Sequence, residues 1–201
     1  MIPALEALER LKAGNARFTA QLNDTGAASP RRPELVVVQE PFAILLGCSD
    51  ARVPAEIVFD QGLGDLFVIR VAGNIVAPSQ VGSVEFAAEA FSTRLVVVLG
   101  HTQCGAISAT IDELQRPAAN QSRNLHSIVE RVRPSVEGLL DTELARDRAA
   151  LSRAAIRANV RASVDHLRHG SEVLEHQIMR NGLMVVGAEY AVETGVVEFF
   201  Y

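Results

Sequence analysis

The sequence of 201 residues contains no tryptophan, and aromatic residues fill only 5% of its positions. Its longest apolar runs are five or six residues, whereas a membrane-spanning helix needs about 20. The stretch MIPALEALERLKAGNARF at its amino end also lacks the apolar block of a signal peptide. These absences predict a cytoplasmic protein that has no membrane partner.

Positive charge is scarce as well. There are 19 Lys and Arg residues against 24 Asp and Glu residues, which gives a formal net charge of -5. A nucleic-acid partner needs clustered Lys and Arg to displace counterions, and the arginines here are spread along helical segments. We therefore expect no nucleic-acid partner.

Cysteine is the third scarce residue type. Two cysteines, Cys48 and Cys104, are too few for a disulfide scaffold. At motif-like positions of a cytoplasmic protein, cysteines more often indicate metal binding or catalysis. The surroundings of these two residues therefore carry most of the functional information.

Three short apolar runs alternate with segments that are compatible with helices. The runs span residues 42–47, 66–71 and 95–100, and they are nearly all apolar, as parallel strands buried on both faces are. This alternation predicts βαβ units and an α/β fold. At 48% apolar residues, we expect one domain over 1–201 with an amino-terminal helical arm at about 1–24, and a strand, a turn at Thr194–Gly195 and another strand at the other end.

Two of the predicted strands end in the same way. AILLGCSDAR (43–52) and LVVVLGHTQCGA (95–106) both run from apolar residues through a glycine into reactive side chains. Ligands of open α/β sheets gather beyond the carboxyl ends of the strands, so adjacent strands would bring Cys48, His101 and Cys104 together. Thiolate and imidazole are preferred zinc ligands, and three ligands with an open fourth position are typical of catalytic zinc.

Simpler interpretations of these residues stay open. A buried free cysteine is more often core packing than chemistry, and a redox pair is a second alternative, although there is no Cys-x-x-Cys motif. Asp50 and Arg52 fit either a functional pair or an ordinary surface ion pair. The four other histidines lie on polar helical segments, where we expect them to be solvated: His126, His166, His169 and His176.

The stretches CSDAR (48–52) and HTQC (101–104), with GDLFVIRVAGN (64–74) between them, resemble the β-class carbonic anhydrases. The likeness extends from the LKAGNARF helix to the VVGAEY strand, nearly the whole chain. It implies a mixed sheet with parallel central strands flanked by helices. It also implies a homodimer or tetramer in which the amino-terminal helix lies across the partner and the pocket is lined from both chains.

The resemblance also implies the chemistry. It makes Cys48, His101 and Cys104 the ligands of Zn²⁺, and Asp50 and Arg52 the dyad that orients a zinc-bound hydroxide for attack on carbon dioxide, giving bicarbonate and a proton. The positions that it implies for substrate binding are Gln39, Phe67, Phe86 and Gly105.

Three other outcomes remain compatible with these residues. Asp50 is the possible fourth zinc ligand of a closed state, which we expect to be accessible below about pH 8 because a carboxylate competes well with neutral water for the metal. If Asp50 fills that position permanently, the protein is a structural zinc protein without catalysis. Hydrolysis of carbon disulfide or carbonyl sulfide is an alternative reaction on the same scaffold.

Overall fold

A computed structural model of the protein describes residues 2–21, 39–116 and 122–200. Its strands are β1 (Ala43–Gly47), β2 (Leu66–Arg70), β3 (Leu95–His101), β4 (Met184–Tyr190) and β5 (Val197–Phe200). They form one sheet in the order β2-β1-β3-β4-β5. All neighbours are parallel except β4 and β5, which are antiparallel. The predicted α/β fold with a mixed sheet and a parallel centre is confirmed.

Helices cover both faces of this sheet. They are α1 (Ala4–Thr19), α2 (Ala55–Val58), α3 (Pro78–Ala90), α4 (Gly105–Gln115), α5 (Arg123–Val132), α6 (Glu137–Leu140), α7 (Arg148–His169) and α8 (Glu172–Asn181). Short 3₁₀ turns occupy Ala72–Asn74, Arg133–Ser135 and Glu143–Arg146. In the described ranges, none of the helices combines the length and the apolarity that crossing a bilayer demands. The predicted cytoplasmic location stays a prediction.

The observed strands match the predicted ones to within one residue. The turn between β4 and β5 is also where it was expected, and Gly195 has a φ of 79° there. The predicted helical arm at about 1–24 contains α1, but residues 22–38 lie outside the described part of the chain, so its full extent stays a prediction.

The start of α3 is set by a proline. Serine is a common N-cap residue, but Ser79 lies inside the first turn, because α3 begins at Pro78 and Ala77 is its N-cap. Proline suits the first helical position because its φ is already fixed near the helical value. The Ser79 hydroxyl instead donates to Oε1 of Gln80 at 3.1 Å.

The central strands β1 and β3 are buried along their whole length. On one face Leu45 and Val97 pack with α1 and α2, and on the other Ile44 and Val98 pack with α3, α7 and α8. Double-sided burial explains why these strands are continuous apolar runs rather than alternating ones. Since β1 and β3 are parallel neighbours, with Gly47 opposite Leu99, their carboxyl ends lie at the same edge of the sheet.

Helix α1 is attached to two other parts of the fold through Asn15, which is buried. Its Nδ2 donates to the carbonyl oxygens of Val58 at 3.1 Å and Gly195 at 2.8 Å. Its Oδ1 accepts from the backbone N–H of Val197 at 2.9 Å. One side chain therefore fixes the position of the β4–β5 turn relative to α1 and α2.

Two helical glycines allow a matched test of this packing. A Cβ at Gly14 in α1 would lie 1.8 Å from the carbonyl oxygen of Phe59, whereas a Cβ at Gly82 in α3 would meet nothing within 4 Å. We expect Gly14→Ala to lower the free energy of unfolding by about 3 kcal/mol through overpacking. Gly82→Ala should raise it by about 0.5–1 kcal/mol, because alanine loses less backbone entropy on folding.

Urea denaturation of both variants at the same protein concentration measures these free energies. Equal effects of the two substitutions would show that α1 does not approach Phe59 this closely.

Candidate metal centre

Three side chains with metal-ligating atoms converge at the carboxyl edge of the sheet. Cys48 directly follows β1, His101 is the last residue of β3, and Cys104 is the N-cap of α4. All three are buried, and their ligand atoms lie within 4.8 Å of one another. The two strand-glycine-ligand stretches of the sequence thus meet in space, as predicted.

The orientation of the His101 ring favours a metal ligand. Its Nδ1 lies 2.9 Å from the carbonyl oxygen of Thr102, and because a carbonyl only accepts, Nδ1 carries the proton. The lone pair is then on Nε2, which is buried and has no hydrogen-bond partner among the described residues. Metal-ligating histidines commonly hold their second nitrogen in this way, so the site fits a soft divalent cation such as Zn²⁺.

The two thiols do not share the same electrostatic environment. Hydrogen bonds from the Cys104 thiol and from the backbone N–H of Gly73, which lies 3.3 Å from the sulfur, lower the pKa of Cys48 to about 4 despite its burial. The neighbouring Cys48 and burial raise the pKa of Cys104. Without a cation the pair therefore holds one negative charge, and a bound metal would keep both sulfurs deprotonated.

Asp50 and Arg52 form a bidentate pair beside the three ligands. Arg52 donates from Nε to Oδ1 of Asp50 at 2.9 Å and from Nη2 to Oδ2 at 2.8 Å. These bonds hold the pKa of Asp50 well below its usual range. Oδ2 of Asp50 also lies 4.0 Å from Nε2 of His101, so the carboxylate faces the ligand cluster.

A second arginine holds the backbone of this segment. Arg70, the last residue of β2, donates to the carbonyl oxygens of Cys48 at 3.0 Å and Asp50 at 2.5 Å. Sequence reasoning missed Arg70. The signal was its place at the end of the strand adjacent to β1, at the same sheet edge as the ligands.

Sequence reasoning also missed two residues behind Arg52. The guanidinium donates from Nη1 to Oε1 of Gln103 at 3.5 Å and from Nη2 to the Gln103 carbonyl at 3.3 Å. Gln103 in turn donates to Glu193 at 2.6 Å. Hydrogen bonds from Thr102 and Gln103 lower the pKa of Glu193, so its carboxylate is charged.

The residues expected to bind substrate lie in two places. Gly105 begins α4, next to Cys104, and is exposed. Gln39 precedes β1, and Phe67 lies opposite Ile44, three residues before the strand ends, which is about 10 Å along the strand. Phe86 is 55% exposed on α3 and contacts Phe67 with ring centroids 6.2 Å apart. Within one protomer, Gln39, Phe67 and Phe86 are therefore separated from the ligand cluster.

The four remaining histidines agree with the prediction of solvated positions. All are exposed: His126, His166, His169 and His176. Among the residues that the structure describes, Cys48, His101 and Cys104 form the one group of three such side chains close enough to share a metal ion.

Comparison with known proteins identifies the family. A family profile described as carbonic anhydrase matches residues 43–197. The carbonic anhydrase of Mycolicibacterium smegmatis is 38% identical over 195 residues, which cover 96% of this chain and 91% of that protein. This chain belongs to the carbonic anhydrase family. Carbonic anhydrase 2 of Mycobacterium tuberculosis is 36% identical over 192 residues, covering 94% of this chain and 89% of that protein.

Solved β-carbonic anhydrases share the fold. CafA of Aspergillus fumigatus matches with a TM-score of 0.74 at 27% identity and covers 94% of this chain and 88% of that chain. One of two tetrameric β-carbonic anhydrases from Sordaria macrospora matches with a TM-score of 0.76 over 86% of this chain and 87% of that chain. At 22% identity, the second match shows the fold alone. The resemblance to β-class carbonic anhydrases is confirmed, and the chain is a carbonic anhydrase enzyme.

The ligand cluster leads to a prediction about metal content. We expect the purified protein to contain about one zinc per chain and Cys104→Ser to lower the zinc affinity more than 100-fold, since loss of a residue that only orients a ligand already costs about 10- to 100-fold. Elemental analysis after dialysis against a chelator series measures this affinity. His166→Gln, on the exposed face of α7, is the control and should bind zinc like the unmodified chain. Equal affinity in Cys104→Ser would remove Cys104 from the site.

Proposed function

We propose that this protein catalyses the reversible hydration of carbon dioxide to bicarbonate and a proton at a zinc ion held by Cys48, His101 and Cys104. The observation that carries the proposal is the buried Nε2 of His101, which has no hydrogen-bond partner in the described part of the chain and lies near two cysteine sulfurs with a carboxylate beside it. The membership of the chain in the carbonic anhydrase family supports the same reaction.

Zinc, when bound, supplies a Lewis acid that makes a water molecule nucleophilic near neutral or alkaline pH. The protein's own contribution begins with Asp50. Because Arg52 keeps this carboxylate deprotonated, its oxygens only accept hydrogen bonds. Oδ2 of Asp50 therefore accepts a hydrogen bond from the nucleophile, so that an oxygen lone pair and not a proton faces carbon dioxide.

Arg52 has a different task in this mechanism. Its two parallel hydrogen bonds fix both oxygens of Asp50, and a bidentate guanidinium–carboxylate pair sets direction as well as distance. Held in this way, Asp50 stays beside the ligand cluster and does not become a fourth ligand. The pairing favours an open catalytic site over a permanently closed structural one.

Arg70 supports the same arrangement from the backbone. Its bonds to the carbonyl oxygens of Cys48 and Asp50 hold the segment between ligand and carboxylate in one conformation. A catalytic group must keep its position to within fractions of an ångström. We therefore assign Arg70 the role of fixing the distance from Cys48 to Asp50.

The proposal extends to a homodimer or tetramer. β2 lies at the edge of the sheet, and Phe67, Phe86 and Phe91 form an aromatic cluster next to it, with ring centroids 5.5–6.2 Å apart. Phe86 is exposed and the other two rings are partly buried. Within the described ranges β2 pairs on one side only, and such a strand edge beside exposed apolar surface is a typical contact surface. Since Phe67 and Phe86 lie back from the ligands of their own chain, a second copy offers the pocket that they could line.

The role of Arg52 can be tested by its removal. Arg52→Ala should lower the rate of carbon dioxide hydration about 10- to 100-fold at every pH, because Asp50 is then free to move onto the metal. Stopped-flow measurement of proton release after mixing with carbon dioxide gives the rate, and zinc content should be unchanged. Arg146→Ala, which removes an exposed arginine from a surface pair with Glu143, is the control. Wild-type rates in Arg52→Ala across the pH range would contradict the proposed role.

The aromatic cluster can be tested by a buried charge. Phe86→Glu should raise the dissociation constant of the oligomer at least about 100-fold, because an unpaired carboxylate in an interface costs several kcal/mol. It should also lower the rate of hydration, because Phe86 would no longer line the pocket of the neighbouring protomer. Sedimentation velocity follows the assembly. Leu125→Glu on α5 is the matched control because Leu125 is 57% exposed and Phe86 55%. Equal behaviour of the two variants would place the interface elsewhere.

A further inference from the structure

The turn between β4 and β5 contacts the loop that joins two of the candidate zinc ligands. Glu193 in this turn accepts a hydrogen bond from the hydroxyl of Thr102 at 2.7 Å and one from Nε2 of Gln103 at 2.6 Å. The backbone N–H of Val192 donates to the Thr102 hydroxyl at 3.0 Å. A carboxylate that lies about 90 residues away in sequence is thus attached directly to the segment between His101 and Cys104.

The chemistry of these groups determines which way the Gln103 amide points. A carboxylate only accepts hydrogen bonds and a guanidinium only donates them. Gln103 lies between Glu193 and Arg52, so its NH₂ group must face the carboxylate and its Oε1 must face the guanidinium. This is the observed arrangement, with Oε1 of Gln103 3.5 Å from Nη1 of Arg52. The backbone of Gln103 has a φ of 57°, and its carbonyl also faces Arg52, at 3.3 Å from Nη2.

Arg52 is therefore held from two sides. Asp50 accepts from Nε and Nη2 of its guanidinium on one side, and Gln103 accepts from Nη1 and Nη2 on the other. The second contact matters because the Arg52 side chain is 44% exposed. An exposed pair with one partner spends much of its time apart, since ordering a long side chain costs entropy.

We propose that Glu193 is a positioning residue of the active site. It acts through Gln103 to fix the guanidinium of Arg52 in the orientation that donates both hydrogen bonds to Asp50. The catalytic part of this proposal rests on the function proposed above, whereas the structural part does not. Glu193 touches neither the substrate nor the metal. Its effect is transmitted by the direction of the Gln103 amide.

A purely structural role for Glu193 is the alternative. In that case its hydrogen bond to Thr102 would only close the β4–β5 turn, and Gln103 would not transmit any effect of Glu193 to Arg52. The two roles differ in what happens to Arg52, whose Nε–H is a direct probe because it is engaged with Asp50. The rate at which this proton exchanges with solvent, measured by ¹H–¹⁵N NMR on the zinc-loaded protein, reports how firmly Arg52 is hydrogen-bonded to Asp50. This readout does not depend on catalysis.

Glu193→Gln is the decisive variant because it keeps size and replaces one acceptor oxygen by a donor NH₂ group. A glutamine at 193 has one acceptor oxygen for two donors, the Thr102 hydroxyl and the Gln103 NH₂ group. Its hydrogen bond to Gln103 is also no longer charge-assisted, so the direction of the Gln103 amide is held less firmly. We expect the Arg52 Nε–H to exchange at least about tenfold faster and kcat/KM for hydration to fall about three- to tenfold, with unchanged zinc content. Glu143→Gln makes the same chemical change in an exposed pair and should alter neither quantity.

A double substitution separates the two roles. Gln103→Asn retains a residue that tolerates positive φ but is too short to reach both partners. If Glu193 acts through Gln103, adding Glu193→Gln to Gln103→Asn should change the Arg52 exchange rate less than about twofold. A full-size effect of Glu193→Gln in that background, or an unchanged exchange rate in the single variant, would overturn the proposal. If the unmodified protein does not hydrate carbon dioxide, the proposed function fails, and the exchange rates still decide the role of Glu193.

Discussion

The structure depends on the convergence of two sulfurs and one imidazole lone pair in a buried pocket at the end of a parallel sheet. Once both cysteines are deprotonated, these groups do not attract one another, because two thiolates repel each other and, among the described residues, the lone pair of His101 has no donor to accept from. Burying such groups is unfavourable unless something compensates for the lost hydration. A divalent cation would provide that compensation, and without one Cys48 and Cys104 share a single negative charge.

Each surrounding element limits the freedom of this pocket. The parallel register of β1 and β3 sets the distance between Cys48 and His101, since Gly47 lies opposite Leu99. The carbonyl of Thr102 sets the rotation of the imidazole ring. Arg70, at the end of the next strand, holds the chain from Cys48 onward. Loss of such outer groups typically lowers metal affinity about 10- to 100-fold, although they do not touch the metal.

The sequence predicted those parts of the molecule in which reactive side chains directly follow a recognisable local pattern. Apolar runs identified β1 and β3, and the glycine after each run identified where reactive side chains would follow. Arg70, Gln103 and Glu193 escaped prediction because their roles arise only from strand pairing. No local pattern indicates that Glu193 meets Gln103, since the register of β3 against β4 brings them together across about 90 residues. The same limit applies to Phe67, whose distance from the ligands follows from its position along β2.

Charge balance explains why the outer groups are arranged as they are. Two thiolates and the Asp50 carboxylate bring three negative charges to one small volume, and a divalent cation together with Arg52 neutralises them. In the proposed mechanism, a turn of Arg52 away from Asp50 would leave a bound metal as the nearest positive partner of the carboxylate, which would then compete with the nucleophile. Glu193 stabilises Arg52 without entering that volume, because Gln103 lies between them and carries no charge. A neutral amide can pass on orientation without adding a fourth negative charge to compete for the cation, and this separates the group that reacts from the group that holds it in place.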